Sequence, residues 1–162
     1  MANYADLDHA ALRHTIANHC YSKPGLAIDG TNKENVETTS AIIVSIEGVM
    51  YTKAAQTEID LSALAVITEA GGTTTLTAQA TGFDRIYLLV MNAAADLKII
   101  QGTAVATGGD CYCPSCPDSY AAWGAIKIVN TSVGAFTLGT TLMTVTDVVE
   151  TFYDLAIAPA TL

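Results

Sequence analysis

Charge is scarce in this chain, and basic charge scarcest of all. Only 14% of its 162 residues are charged, with 7 Lys and Arg against 16 Asp and Glu and a formal net charge of −9. A nucleic-acid surface needs a basic stripe to neutralise phosphates, so nucleic acid is excluded as a primary partner. Anionic membrane surfaces are excluded for the same reason. Long apolar runs are missing too, none approaching the ~20 residues that cross a bilayer. The opening MANYADLDHAALRH has no basic region followed by an apolar one. No secretory signal is therefore expected, and the expectation is synthesis and folding in a cytoplasm.

Catalytic patterns are equally sparse. No Ser, Cys or Lys stands in a nucleophile motif such as G-x-S-x-G, and the phosphate-loop and dinucleotide glycine patterns are absent. Asp6 and Asp8 lack calcium-loop spacing. The three histidines, His9, His14 and His19, all fall in the first nineteen residues. Five residues turn a helix by about 140°, so their rings would fan around the axis rather than converge on a metal. No nucleophile, base and orienting group can be assembled on paper, and no catalytic, cofactor-binding or metal residue is assigned. The chain reads as a non-enzyme without cofactors.

What the chain has is apolar: 51% of its residues are hydrophobic. With so little charge to cover a surface, this composition predicts a homo-oligomer or a protein docked on a larger body. The densest stretch is Gly82 to Gly102. Ile86 to Met91 and Leu97 to Ile100 are two β-prone runs joined by Asn92-Ala93-Ala94-Ala95-Asp96, a hairpin pattern. Ile86, Leu88 and Val90 share one face of the first run, and Tyr87, Leu89 and Met91 the other. Both faces are apolar, so this strand is expected to be covered on both sides.

Taken in order, Asn3 to Cys20 reads as a short helix with Asn3 as cap and a thin stripe of Leu12, Ile16 and Cys20. Lys23-Pro24-Gly25 stops it. Leu26 to Ser40 reads as an extended polar connector with no core of its own. Ala41 to Glu47 is a strand, Glu47-Gly48 a turn, and Val49 to Ala54 the return; Glu58 to Asp60 is a further edge piece. Leu61 to Thr68 fits either a helical turn or a strand. Thr73 to Ala80 alternates and reads as a strand. After a long loop from Thr103 to Ser119, Tyr120 to Asn130 returns to β-structure. Ala125, Lys127 and Val129 lie on one face there, with Ile126 and Ile128 on the other. Thr151 to Ala158 closes the domain. The resulting expectation is an all-β chain: an antiparallel β-sandwich or barrel-like domain over residues 41–162, preceded by a helical and extended arm over 1–40.

Cys111-Tyr112-Cys113-Pro114-Ser115-Cys116 is the sharpest local feature. Three neighbouring thiols suit a soft metal if a fourth ligand, such as Cys20 or His19, arrives from elsewhere. No second CxxC pair completes the usual zinc pattern, and a disulfide is unexpected in a reducing compartment. A Pro-broken surface loop that holds no metal is the reading adopted, with metal and disulfide as its alternatives.

Several segments together resemble a known group. They are Gly25-Leu26-Ala27-Ile28, the I-x-G-x-x-Y-x-K pattern at Ile46 to Lys53, and QGTA at Gln101 to Ala104. Gly124-Ala125-Ile126-Lys127-Ile128 and the F-x-x-G-T-T pattern at Phe136 to Thr141 follow. In this order they are similar to small virion proteins of tailed bacteriophages. The chain departs from that pattern at Leu138, where Pro is common, and in the cysteine loop. The resemblance implies a capsid decoration or cement protein, made in the host cytoplasm and carried on the virion, with the major capsid protein as partner. A head or tail fibre, or an adhesin-type module contacting a host surface, is the alternative it implies.

Overall fold

The structure is a computed structural model that describes residues 18–131 and 134–156. Its strands are β1 (His19–Cys20), β2 (Leu26–Ile28), β3 (Val36–Thr38), β4 (Ile42–Ile46), β5 (Val49–Lys53) and β6 (Ala65–Ile67). They continue as β7 (Thr73–Thr74), β8 (Phe83–Asn92), β9 (Leu97–Gln101), β10 (Val105–Ala106), β11 (Tyr120–Asn130) and β12 (Val148–Asp154). No helix occurs among the described residues, which form an all-β fold. The largest sheet has the order β12-β11-β8-β9-β6-β7, with β10 also on β8. Smaller sheets have the orders β1-β4-β5 and β2-β3, and among the described residues none of the sheets closes into a barrel.

The central hairpin forms where the apolar runs place it. Its loop is closed by Asn92, whose Oδ1 accepts from the Ala94 and Asp96 amides at 3.0 and 2.9 Å. This Asx-type closure is what an Asn at the start of a short turn does best. The β4–β5 hairpin turns through Glu47 and Gly48, both at positive φ (51° and 79°). Two consecutive left-handed residues match the twist of the strands they join.

Strand β8 lies between β11 and β9 and is buried on both faces, as its sequence predicts. Tyr87, Leu89 and Met91 enter a large core with Ile99, Trp123, Ile126 and Ile128, closed from the other side by Ile42, Val44 and Ile46 of β4. Leu88 and Val90 enter a second cluster with Ile67, Ile100 and Ala125. A β-bulge aligns β11 with this two-sided core. Ala122 pairs with Val90 and Gly124 with Leu89, which leaves Trp123 as the extra residue. The bulge shifts the alternation by one, so Ala121 and Trp123 face the same core as Ile126 and Ile128.

Several expectations are corrected. The largest sheet is mixed, because β6 runs parallel to β9. That resolves Leu61 to Thr68: Asp60 Oδ1 accepts from the Ser62 amide at 2.9 Å in a turn, and the strand follows. Of Thr73 to Ala80, only Thr73–Thr74 is strand. Beyond it Thr77 is held by side chains, its N donating to Gln101 Oε1 (2.8 Å) and its O accepting from Arg85 Nη1 (2.7 Å), before Gln79 bridges Phe136 backbone to backbone. The expected helix from Asn3 falls outside the described residues as far as residue 17. Its expected end does not: His19 and Cys20 are strand, opposite Ser45 and Val44.

The connector reading of Leu26 to Ser40 also gives way. Leu26 and Val36 are buried in the main core with Cys20. A Cβ on Gly124 would lie 3.0 Å from Leu26 Cδ2, so the glycine makes room for the segment that was expected to stand apart. The glycine of F-x-x-G-T-T has a similar task. Gly139 has φ +74°, and a Cβ there would sit 2.5 Å from the Ser62 nitrogen. No other residue permits that approach without displacing backbone.

Candidate functional site

The cysteine loop leaves β9 at Gly102, whose amide donates to Ile86 O at 2.9 Å. It returns along β8 as β10, with Val105 and Ala106 opposite Asp84 and Phe83. Thr107 Oγ1 then donates to Asp84 Oδ1 at 2.8 Å, and Asp84 Oδ2 lies 3.4 Å from Lys127 Nζ. The far part of the loop folds back over the sheet. Ser115 N donates to Glu69 Oε1 at 3.1 Å, and Cys116 packs against the second apolar cluster. The loop is therefore a cover for the outer face of the central strand, a role that its Pro-rich, cysteine-rich sequence did not announce.

All four cysteines are thiols. Cys113 is exposed, while Cys111 and Cys116 are half-buried. Burial pushes the Cys116 thiol up to about 11, and it raises Cys111 and Cys113 as well. A reactive or metal-binding cysteine has its thiolate favoured by nearby positive charge, the opposite electrostatic setting. Cys20 belongs to the main core, and its Sγ lies 3.2 Å from Ser22 O. The sheet of β8 and β11 stands between it and Cys116, so the proposed fourth ligand is on the wrong side. His19 alternates with the inward-pointing Cys20 on β1 and so faces away from the core. Among the described residues no three His, Cys, Asp or Glu side chains are grouped to hold a metal ion. His9, His14, Asp6 and Asp8 lie outside the described residues.

Two other features present themselves to a partner. A shallow open cleft of about 360 Å³ runs between β6–β7 and the Thr137–Thr140 turn. Thr73, Thr75, Thr140, Val66, Leu76 and Leu138 line it, and no ionisable side chain does. Such a cleft offers hydroxyls and methyls but no general acid or base. The second feature is apolar surface. Val49 and Met50 at the tip of the β4–β5 hairpin are 53% and 54% exposed, and Tyr112 in the cysteine loop is 75% exposed. Val149 and Tyr153 project from β12. These residues were missed from the sequence because alternation places them in strands without saying which strands lie at a margin. The Glu47-Gly48 turn was the available signal, since residues that flank a tight turn stand at its tip.

No helix among the described residues is long and apolar enough to cross a membrane. No protein-family model matches the chain, and neither a curated protein nor a solved structure matches it.

Proposed function

We propose that this chain is a non-enzymatic virion structural protein that binds the outside of a phage capsid as a decoration or cement protein. In this reading its layered sheets act as a β-sandwich body, and the major capsid protein is its partner. The observation that carries the reading is the pair Val49 and Met50, held more than half exposed side by side at a hairpin tip. An apolar tip pressed into a lattice gains stability by leaving water. The low charge and the resemblance to small virion proteins support the same reading.

The alternative is a fibre or adhesin-type module. The open, threonine-lined cleft favours it, because hydroxyl-rich concavities suit neutral, hydroxylated ligands such as glycans. Electron microscopy separates the two. Purified protein is added to capsids that lack it, and the particles are reconstructed. Regular density over the capsid lattice, weakened by Met50→Asp, is the expected result. Density only at a vertex or on the tail supports the fibre, and no bound density overturns both.

A further inference from the structure

Among the described residues, strand β12 ends the largest sheet, with β11 on one side and no strand paired along the other until Cys20 of β1 bridges Ala156 beyond its end. Its register to β11 is unbroken from Asn130↔Val148 to Gly124↔Asp154. Just beyond one end, Thr131 N donates to Asp147 O; just beyond the other, Leu155 N donates to Trp123 O. In an antiparallel ladder the residues that bond the neighbour alternate, so the odd-numbered positions of β12 bond β11. The even-numbered positions turn their N–H and C=O groups outward. Val148 N is taken up by Val145 O, and the Asp154 carboxylate accepts from the Gly25 and Leu26 amides. Between them, Glu150 and Phe152 offer both donor and acceptor, and among the described residues no backbone group meets them from outside. An open edge flanked by exposed Val149 and Tyr153 is a template for another strand.

We infer that the occupant is β12 of a second copy, paired antiparallel about a two-fold axis at Thr151. The charge pattern selects this register. Outward-facing residues must pair with outward-facing residues, and keeping both Glu150 and Phe152 opposite residues of the second copy's β12 leaves axes at Glu150, Thr151 or Phe152. Centring the axis on Glu150 sets that carboxylate against its own copy, and centring it on Phe152 sets Glu150 against Asp154. Like charges directly opposite each other destabilise a sheet. Centring on Thr151 places Glu150 opposite Phe152, and Val149 opposite Tyr153, twice over. An aromatic residue facing a β-branched one is a favourable cross-strand pair, and the same patch serves both copies, as an isologous interface requires. The inference deepens the expectation of a homo-oligomer and does not depend on the capsid reading.

The test uses full-length protein. Sedimentation over a range of concentrations is expected to show a monomer–dimer equilibrium. Glu150→Pro removes an outward N–H, which an edge strand tolerates, and is expected to shift the protein to monomer while its melting temperature stays near wild type. Thr151→Cys is the second variant, because it reports on the register without disturbing the fold. Facing its own copy across the axis, it is expected to give a covalent dimer under mild oxidation, mapped to residue 151 by mass spectrometry. Val149→Cys, facing Tyr153, is expected to give none. A wild-type monomer at every concentration overturns the inference. So does an assembly that survives Glu150→Pro and leaves Thr151→Cys unlinked. Capsid binding by a strictly monomeric protein would leave the proposed function standing while removing this interface.

Discussion

Leu88 shows how much one side chain of the central strand decides. It is 2% exposed, in a cluster roofed by the cysteine loop. Leu88→Asp buries a carboxylate without a partner, a change expected to cost about 4 kcal/mol or more. Insoluble protein, or a sharply lowered melting temperature, is the expected outcome; near-wild-type melting would show that the loop does not close over this face. Cys116, on the same side of the sheet, makes the burial measurable through pH. A thiol whose folded pKa is above its unfolded value keeps its proton in the native state after the unfolded chain has lost it. Its contribution is thus complete below about 9 and declines as pH rises from about 9 to about 11. Denaturant titrations of wild type and Cys116→Val across that window should differ in slope, the wild type losing stability faster. Parallel slopes would place Cys116 in water.

Among the elements, β1, β2 and β3 changed most between sequence and structure. Their residues 18–40 supply Cys20, Leu26 and Val36 to the main core and an edge strand to β4. A chain beginning at Ala41 would lose these side chains, and burial of each large apolar one is worth roughly 2 kcal/mol. It would also leave Gly124 facing a hole where Leu26 had packed. The truncated chain is expected to be unfolded or to melt far below the intact protein, as followed by circular dichroism. A cooperative melt close to that of the full chain would restore residues 1–40 as an appendage.

For the whole molecule, the low charge sets behaviour in solution. The sequence pI is near 4.4, and the net charge of −9 vanishes as pH falls toward it. With exposed Val49, Met50, Tyr112, Val149 and Tyr153 on the surface, losing mutual repulsion should drive association. Light scattering is expected to show a solubility minimum near that pH, blunted when Met50 and Tyr112 are replaced by Ser. An unchanged minimum in the variant would mean that these residues do not form the contacts.

The long strands were legible from residue order alone, and the reason is local. In β8 and β11 the apolar side chains alternate within ten or eleven successive residues, so each face is written beside the other. The Glu47-Gly48 and Asn92 turns were legible because their geometry rests on the residues that make them. Short elements were not. Leu26–Ile28 and Val36–Thr38 become strands because they pair with each other, and Ala65–Ile67 because β9 and β7 lie on either side. Three residues carry no period, and their partners are distant in sequence. The candidate surfaces divided the same way. Tight cysteine spacing was visible at once. That the sheet separates Cys20 from Cys116, and that the loop roofs Leu88, are facts of layering. So is the open edge of β12, because which strand ends a sheet is decided by what packs beside it and by nothing within the strand itself.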